Sequence, residues 1–486
     1  MQAENSHTPG PPSGPNPQKP GSVYIAIALY VALTLPYACT KLNGDEAHFV
    51  TIPYLMAGGD YFLSAVKDRE FGRAAAVAAE SYALAWRYFV RPGDAGKDTA
   101  EGLKKYPISH KASGREQAFV FTPNYFVQHR KGGRPLLSFL LNIPALAVTY
   151  VLPRSLYEYQ RDHIYHPAFL APRLSVWLMG MLGLWLVHRI VRQRAGPQAA
   201  FHAALIYALL PATVVWSADL HQDVPMALFL IPFFYFLAQR RYLWAGVFWG
   251  LAFATKNQAV FALLPAVAVA LWNGLDGKTI RERWSPILEA ARGLAIVLVV
   301  GIAVSTPFGY PWGNLVEVWD SSSPDIPALY GLASLYYQMP LLLGIGMIAL
   351  LGLKLLEDAR DDFDRMHLCW LILPILLHFI HDYRNYMLVA STAILIGTYF
   401  RRKLVYVLAG TLLIINLAGM HSPYLSSRHM MYDWLNERDA PRTIEEIERI
   451  PGMGTIREKP AAGESPAQVP PAQPPSAETQ PPAKKN

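Results

Sequence analysis

The stretch "SADLHQDVPMALFLIPFFYFLAQRRYLWAGVFWGLAFATKNQAVFALLPA", residues 217–266, decides how the whole chain is read. It holds the apolar runs 224–238 and 243–255 and opens a third, 259–272. Only "QRRY" (239–242) and a few residues around Lys256 separate them. A hydrocarbon core of ~30 Å is crossed by about 20 helical residues, and runs of this kind read as spans packed close in sequence. Working outward, the same pattern recurs at 22–40, 168–191, 199–216, 287–306, 340–356, 367–380, 386–400 and 404–420. The expectation is an all-α multi-pass membrane protein, a helical bundle of about eleven transmembrane helices. Composition agrees, with 52% of residues apolar and 16% charged.

Lys and Arg sort the loops. "HRIVRQRAG" (188–196), "QRRY" (239–242), "NGLDGKTIRERW" (273–284), "LKLLEDARDDFDRM" (353–366) and "RRK" (401–403) fall together on one face by simple alternation. The opposite short loops, 217–223, 307–335 and 381–385, carry only Arg384. Basic residues near span ends favour the cytoplasm, so the first face is expected there and the second outside. This also accounts for the net charge of +7 without a nucleic-acid partner. The run Pro135–Leu152 would scramble the sorting if it spanned, and is read as a juxtamembrane helix at the outer leaflet.

The expected organisation follows. Residues 1–21, rich in Pro, Gly and Ser, form a disordered cytoplasmic tail with a poor basic region for a cleaved signal, so 22–40 is a retained span. The transmembrane module covers 22–420, with a long external loop at 41–167 that carries juxtamembrane helices. A short external segment, 421–459, precedes a Pro-, Ala- and Gln-rich disordered tail, 460–486. Cys39 and Cys369 are expected on opposite faces, which argues against a disulfide between them.

Several ionisable residues collect on the outward face. Asp45 and Glu46 follow the first span directly; helix capping is the bland account of them. Lys256 is an ammonium between two apolar half-spans. A charge at bilayer depth costs ~2.5–3.5 kcal/mol on insertion scales and so tends to line a cavity, though a tight turn would also place a Lys there. Arg384, beside His381 and Tyr383, is suited to forked hydrogen bonds with phosphate oxygens, or to snorkelling at the interface. Asp223 caps a helix whose first turn contains Pro225. His378 and His381 lack an assured third ligand, and "EDARDDFD" (357–364) has its acids interleaved with Arg360 and followed by Arg365, without a Gly-rich phosphate cradle. No cofactor is expected, and a divalent metal is not indicated.

"NGDEAHFVTIPYLMAGGDYF" (43–62), "GGRPLLSFLLNIPALAV" (132–148), "APRLSVWLMGMLGLWLVHRIVRQRAG" (171–196) and the opening stretch together resemble the C-type (GT-C) integral-membrane glycosyltransferases. These include polyprenyl-phosphate-mannose protein mannosyltransferases and lipid A aminoarabinose transferases. The resemblance runs from about Ser22 to Phe400 and lies in order and spacing. The family's acidic pair falls on Asp45 and Glu46, its Asp-x-Pro on Asp223 and Pro225, and its Thr-Lys on Thr255 and Lys256. Its late Arg-Tyr element is approximated by "YRNY" (383–386), and its Lys-Pro-Pro-Leu-like element stands as Arg134-Pro135-Leu136-Leu137. The stretch from Asp45 to Arg134 is longer than the family pattern, with charged, helix-prone sequence from Lys67 to Arg130.

The resemblance implies inverting transfer of a sugar from a polyprenyl-phosphate-linked donor to an acceptor hydroxyl, in a bacterial inner membrane with the site on the external, periplasmic face. The acceptor is open: protein, lipid or glycan. Because phosphate leaves as a stable anion, no general acid is needed, unlike the two-carboxyl glycosidases. Asp45 is then the general base and Glu46 its helper. Arg384, Lys256 and Arg134 are the donor-phosphate cations, and Asp223, His381 and Tyr383 are substrate contacts. The alternative from another class is a transporter or flippase of a lipid-linked or anionic substrate.

Overall fold

The hairpin at Gly196 sets the arrangement of the bundle. The computed structural model describes residues 22–38, 58–90, 137–145, 167–217, 220, 222–275, 279–308, 361–376 and 386–418. In chain order the helices are α1 (Ser22–Ala38), α2 (Gly59–Lys67), α3 (Phe71–Val90), α4 (Leu137–Leu140), α5 (Pro167–Leu209), α6 (Pro211–Trp216), α7 (Asp223–Ala238), α8 (Tyr242–Thr255), α9 (Leu264–Leu275), α10 (Ile280–Ser305), α11 (Asp362–Leu376), α12 (Tyr386–Tyr399) and α13 (Arg402–Leu417). No strand occurs among the described residues. Within α5, Gly196 has φ 89° and ψ 175°, a conformation open in practice to glycine alone, and Pro197 follows. Tyr207 and Gly183 lie 24 positions apart, ~36 Å along a straight helix. Yet a Cβ on Gly183 would sit 2.6 Å from the Tyr207 hydroxyl. The chain therefore reverses at Gly196, and α5 is two antiparallel arms, 167–195 and 197–209.

Ten of the eleven expected spans coincide with helices, and the eleventh, 340–356, lies outside the described residues. By length and composition alone, three stretches among the described residues qualify as membrane-crossing: Pro172–Leu209, which the hairpin divides, Asn257–Leu275 and Ile280–Phe308. Two boundaries differ from the sequence expectation for a local reason. Helix α10 starts seven residues before 287 because Thr279 and Glu282 form a capping box, each side chain accepting the other's backbone N–H at 3.2 Å. Helix α11 starts before 367 because Asp361 accepts the Asp364 N–H at 3.1 Å.

The bundle has two chemically different ends. At the basic end loops expected on one face do meet: Arg194 pairs with Asp361 at 2.5 Å and Asn273 donates to Asp362 at 2.9 Å, while Arg240 of the 239–242 loop pairs with Glu289, within α10, at 2.5 Å. Arg365 donates to Asn273 and stacks on Trp272, while Tyr399 donates to Asp364 at 2.5 Å. Burial pushes the Asp364 carboxyl above the usual carboxylate range, against the lowering effect of Tyr399 and Arg194. At the other end, Tyr82 of α3 donates to the Pro307 carbonyl at 2.8 Å, fastening the first long loop to the far end of α10.

Between the ends the core is aromatic and tight. Trp216, Trp249, Trp370, Phe233, Phe234 and Phe253 are wholly buried. Helices α8 and α10 cross backbone to backbone, since a Cβ on Gly250 would lie 2.5 Å from the Gly301 carbonyl. Small residues permit such approaches where lipid offers no hydrophobic drive between helices. Of the expected juxtamembrane helix, the described part is the short α4 and residues up to 145, with Leu137, Asn142 and Ala145 buried and α4 packed on α8.

Candidate functional site

Helix α8 stops at Thr255 because Lys256 turns extended, with φ −154° and ψ 131°, before a 3-10 segment, Asn257–Leu263. The break is stitched: the Lys256 N–H donates to Ala252 at 2.9 Å, and the Lys256 carbonyl accepts from Ala259 at 3.1 Å. The Trp249 indole N–H donates to the Ala259 carbonyl at 3.0 Å. Irregular backbone at membrane depth survives only where protein or a cavity satisfies it, and here protein does.

The break aims Lys256 at Asp223, in the first turn of α7. Lys256 Nζ donates to Asp223 Oδ2 at 2.5 Å, with Asp223 1% and Lys256 7% exposed. Around the pair in sequence, Gln222, Thr255, Asn257 and Gln258 are buried polar residues as well. The sequence reading gave these two residues separate roles; the structure brings them together as one buried ion pair. Lys256, a lone charge in apolar surroundings, was the available signal, because such groups tend to pair, but Asp223 stands in a polar stretch 33 positions away.

The pair is neutral as a unit. It offers an anion less net attraction than a solitary ammonium would. Asp45, Glu46, Arg134, His381, Tyr383 and Arg384 lie outside the described residues. Their neighbours in the chain are placed, however. Arg134 precedes α4, which packs on α8, and Arg384 stands two residues before Tyr386, the buried first residue of α12. A cavity of about 80 Å³ at the basic end, lined by Arg240, Tyr242, Asn273, Glu289 and Asp362 among others, is not part of this site. The 16 residues of α7, ~24 Å of helix, lie between it and the ion pair.

Fold and site together define a helical, membrane-compatible protein with a buried charge pair at the end away from its basic loops. The comparisons with known proteins sharpen the class. Residues 164–302 match the model of the family described as dolichyl-phosphate-mannose-protein mannosyltransferase, a stretch that includes both Asp223 and Lys256. This chain is thus similar, over well under half its length, to the C-type membrane glycosyltransferases that its motifs resemble. No curated protein matches it. Among solved structures it is similar to the crystal structure of ArnT from Cupriavidus metallidurans bound to undecaprenyl phosphate. The identity is 15%, with 83% of this chain and 64% of that chain covered and a TM-score of 0.45. The chain spans less than two thirds of that protein's length.

Proposed function

We propose that this protein is a membrane glycosyltransferase that moves a sugar from a polyprenyl-phosphate-linked donor to an acceptor hydroxyl on the external face, with inversion. The observation that carries the reading is the mannosyltransferase-family match over 164–302, a stretch in which Asp223 and Lys256 form the buried pair. The sorting of basic loops to the opposite end supports the external placement, because activated nucleotide sugars are supplied on the cytoplasmic side and a lipid-borne donor is not so confined.

In this mechanism Asp45 takes the proton of the acceptor hydroxyl as its oxygen attacks the anomeric carbon and the bond to the donor phosphate breaks. General-base help of this kind is worth typically 10²–10⁴-fold. Glu46 orients hydroxyls, and His381 and Tyr383 contact substrate. Arg384 is the leading cation for the departing phosphate, with Arg134 second. Lys256 comes third, because Asp223 already neutralises it; Asp223 sets the direction of the Lys256 ammonium toward the donor. No divalent metal is required by this scheme, and acceptor identity is not specified by it.

The test is transfer by purified protein in lipid nanodiscs, using polyprenyl-phosphate sugars as donors and membrane extract as acceptor. Asp45→Asn is expected to fold, to bind donor and to lose transfer by about 10²-fold or more. Undiminished transfer by that variant would remove Asp45 from the mechanism.

A further inference from the structure

The end of α7 carries an arginine where glycine is the usual residue. The Arg240 N–H donates to the Leu237 carbonyl and the Arg241 N–H to the Phe236 carbonyl, both at 2.9 Å. That closure puts the residue after the helix cap in the left-handed region. Arg240 takes the position with φ 58°, a conformation that strains a residue bearing a Cβ and suits glycine. The backbone thus disfavours a side chain here, and what the position supplies is the guanidinium. It meets Glu289 of α10 at 2.5 Å, and both residues line the cavity of about 80 Å³ at the basic end.

The cavity is polar at its rim and apolar beyond. Arg240, Tyr242, Asn273, Glu289 and Asp362 supply the polar lining, and Ala266, Val269, Leu294 and Met366 part of the apolar one. Ala266 and Asn273 are seven positions apart on α9, ~10 Å of helix, so the cavity runs into the bundle. Tyr242 rests against α10, where a Cβ on Gly293 would collide with its ring. The volume is several times the ~10–15 Å³ that one water needs, and apolar walls favour hydrocarbon over water. Trp244, two positions after Tyr242, and Trp284, five before Glu289, are both exposed. Tryptophans on a lipid-facing surface collect where hydrocarbon meets water, so the rim stands at headgroup depth.

Charge decides which head fits. The charged lining residues are one cation, Arg240, and two carboxylates, Glu289 and Asp362. Asp362 accepts from Asn273 at 2.9 Å, and Asn273 accepts from Arg365. A purely anionic head would face a surplus of carboxylate. A head with both phosphate and ammonium finds a partner for each: the guanidinium donates a forked bond to phosphate oxygens, and a carboxylate accepts from the ammonium N–H. We propose that this cavity is a lipid site, separate from the transfer site, that takes a phospholipid carrying a primary ammonium beside its phosphate. The phosphate lies on Arg240, the ammonium on Asp362 and Glu289, and part of one chain against Ala266 and Val269. None of this depends on the glycosyltransferase reading.

The experiment is native mass spectrometry of the full chain, delipidated in detergent and given phosphatidylethanolamine, phosphatidylcholine and phosphatidylglycerol with identical chains. Phosphatidylcholine keeps the positive charge but has no N–H to donate, and phosphatidylglycerol has no cation. The expected result is retention of phosphatidylethanolamine about tenfold above either, the worth of one hydrogen bond to a charged group. Arg240→Gly, which relieves the backbone, and Asp362→Asn should each abolish the preference. Ala270→Leu, which fills the cavity, should lower retention of all three lipids. Arg402→Ala, a loss of positive charge at a residue that stacks on Tyr406 instead, should keep the preference. Phosphoethanolamine, the same head without chains, should not be retained. Equal retention of the three lipids by wild type, or stronger retention of phosphatidylglycerol, would overturn the proposal. So would a preference that survives in Arg240→Gly, or phosphoethanolamine held as well as the whole lipid.

Discussion

Replacing Lys256 with methionine keeps the length of the side chain and removes its charge, leaving the Asp223 carboxylate at 1% exposure without its ammonium. Breaking a buried pair from one side costs about 3–5 kcal/mol, because an uncompensated charge stays behind. Replacing both members costs far less, since the desolvation of two ions offsets most of their attraction. The expectation is therefore an ordering: Lys256→Met melts well below wild type, and Lys256→Met with Asp223→Asn returns to within about 1 kcal/mol of it. Thermal unfolding in detergent, followed by the loss of the monodisperse peak on size exclusion, reads that ordering. Transfer activity reads a second fact on the same samples. If Lys256 also contacts donor phosphate, the double variant regains stability and not donor affinity. A double variant no more stable than Lys256→Met would refute the argument that the pair is one electrostatic unit.

Other perturbations separate the remaining parts of the account. Arg384→Ala should raise donor KM while sparing the fold, with Arg384→Lys recovering only part because the forked geometry is lost; steady-state kinetics in nanodiscs decides this. Gly196→Ala forces a side chain into a backbone conformation that favours glycine, and should cost about 1–3 kcal/mol, read as a lowered melting midpoint. Asp364 gives a pH signature. Its carboxyl titrates higher in the folded protein than in the unfolded chain, so the folded state binds the extra proton and is stabilised as pH falls from the raised value toward the ordinary carboxylate value. The melting midpoint of wild type should accordingly rise relative to Asp364→Asn across that window, and a parallel pH dependence of the two proteins would contradict it.

The spans were legible because apolar runs are punctuated by clusters such as "QRRY" and "RRK", and the same clusters told which ends belong together. The Arg194–Asp361 ion pair and the Asn273–Asp362 hydrogen bond join loops that charge counting had put on one face. Helix starts were read less well where polar sequence continues the helix beyond the apolar run, as at Thr279 and Asp362, because hydropathy is silent there. Lys256 stood out as a charge in apolar sequence, but its partner did not, since Asp223 reads as a helix cap; in the structure Gln222 holds the cap position and Asp223 is the first helical residue, accepting from Lys256. The 2.9 Å bond between the Tyr207 and Tyr386 hydroxyls was not legible either, since 179 positions separate the two residues. The acidic pair and Arg384 lie outside the described residues, so their assignment stands on the sequence and its resemblance.

The central claim is that a prenol-borne sugar is consumed by this protein, and the most direct measurement is mass spectrometry of polyprenyl-phosphate sugars extracted from cells lacking it. The account predicts that one such species accumulates, and that it returns to its ordinary level on complementation with wild type but not with Asp45→Asn. A pool of lipid-linked sugars unchanged by loss of the protein would contradict the claim.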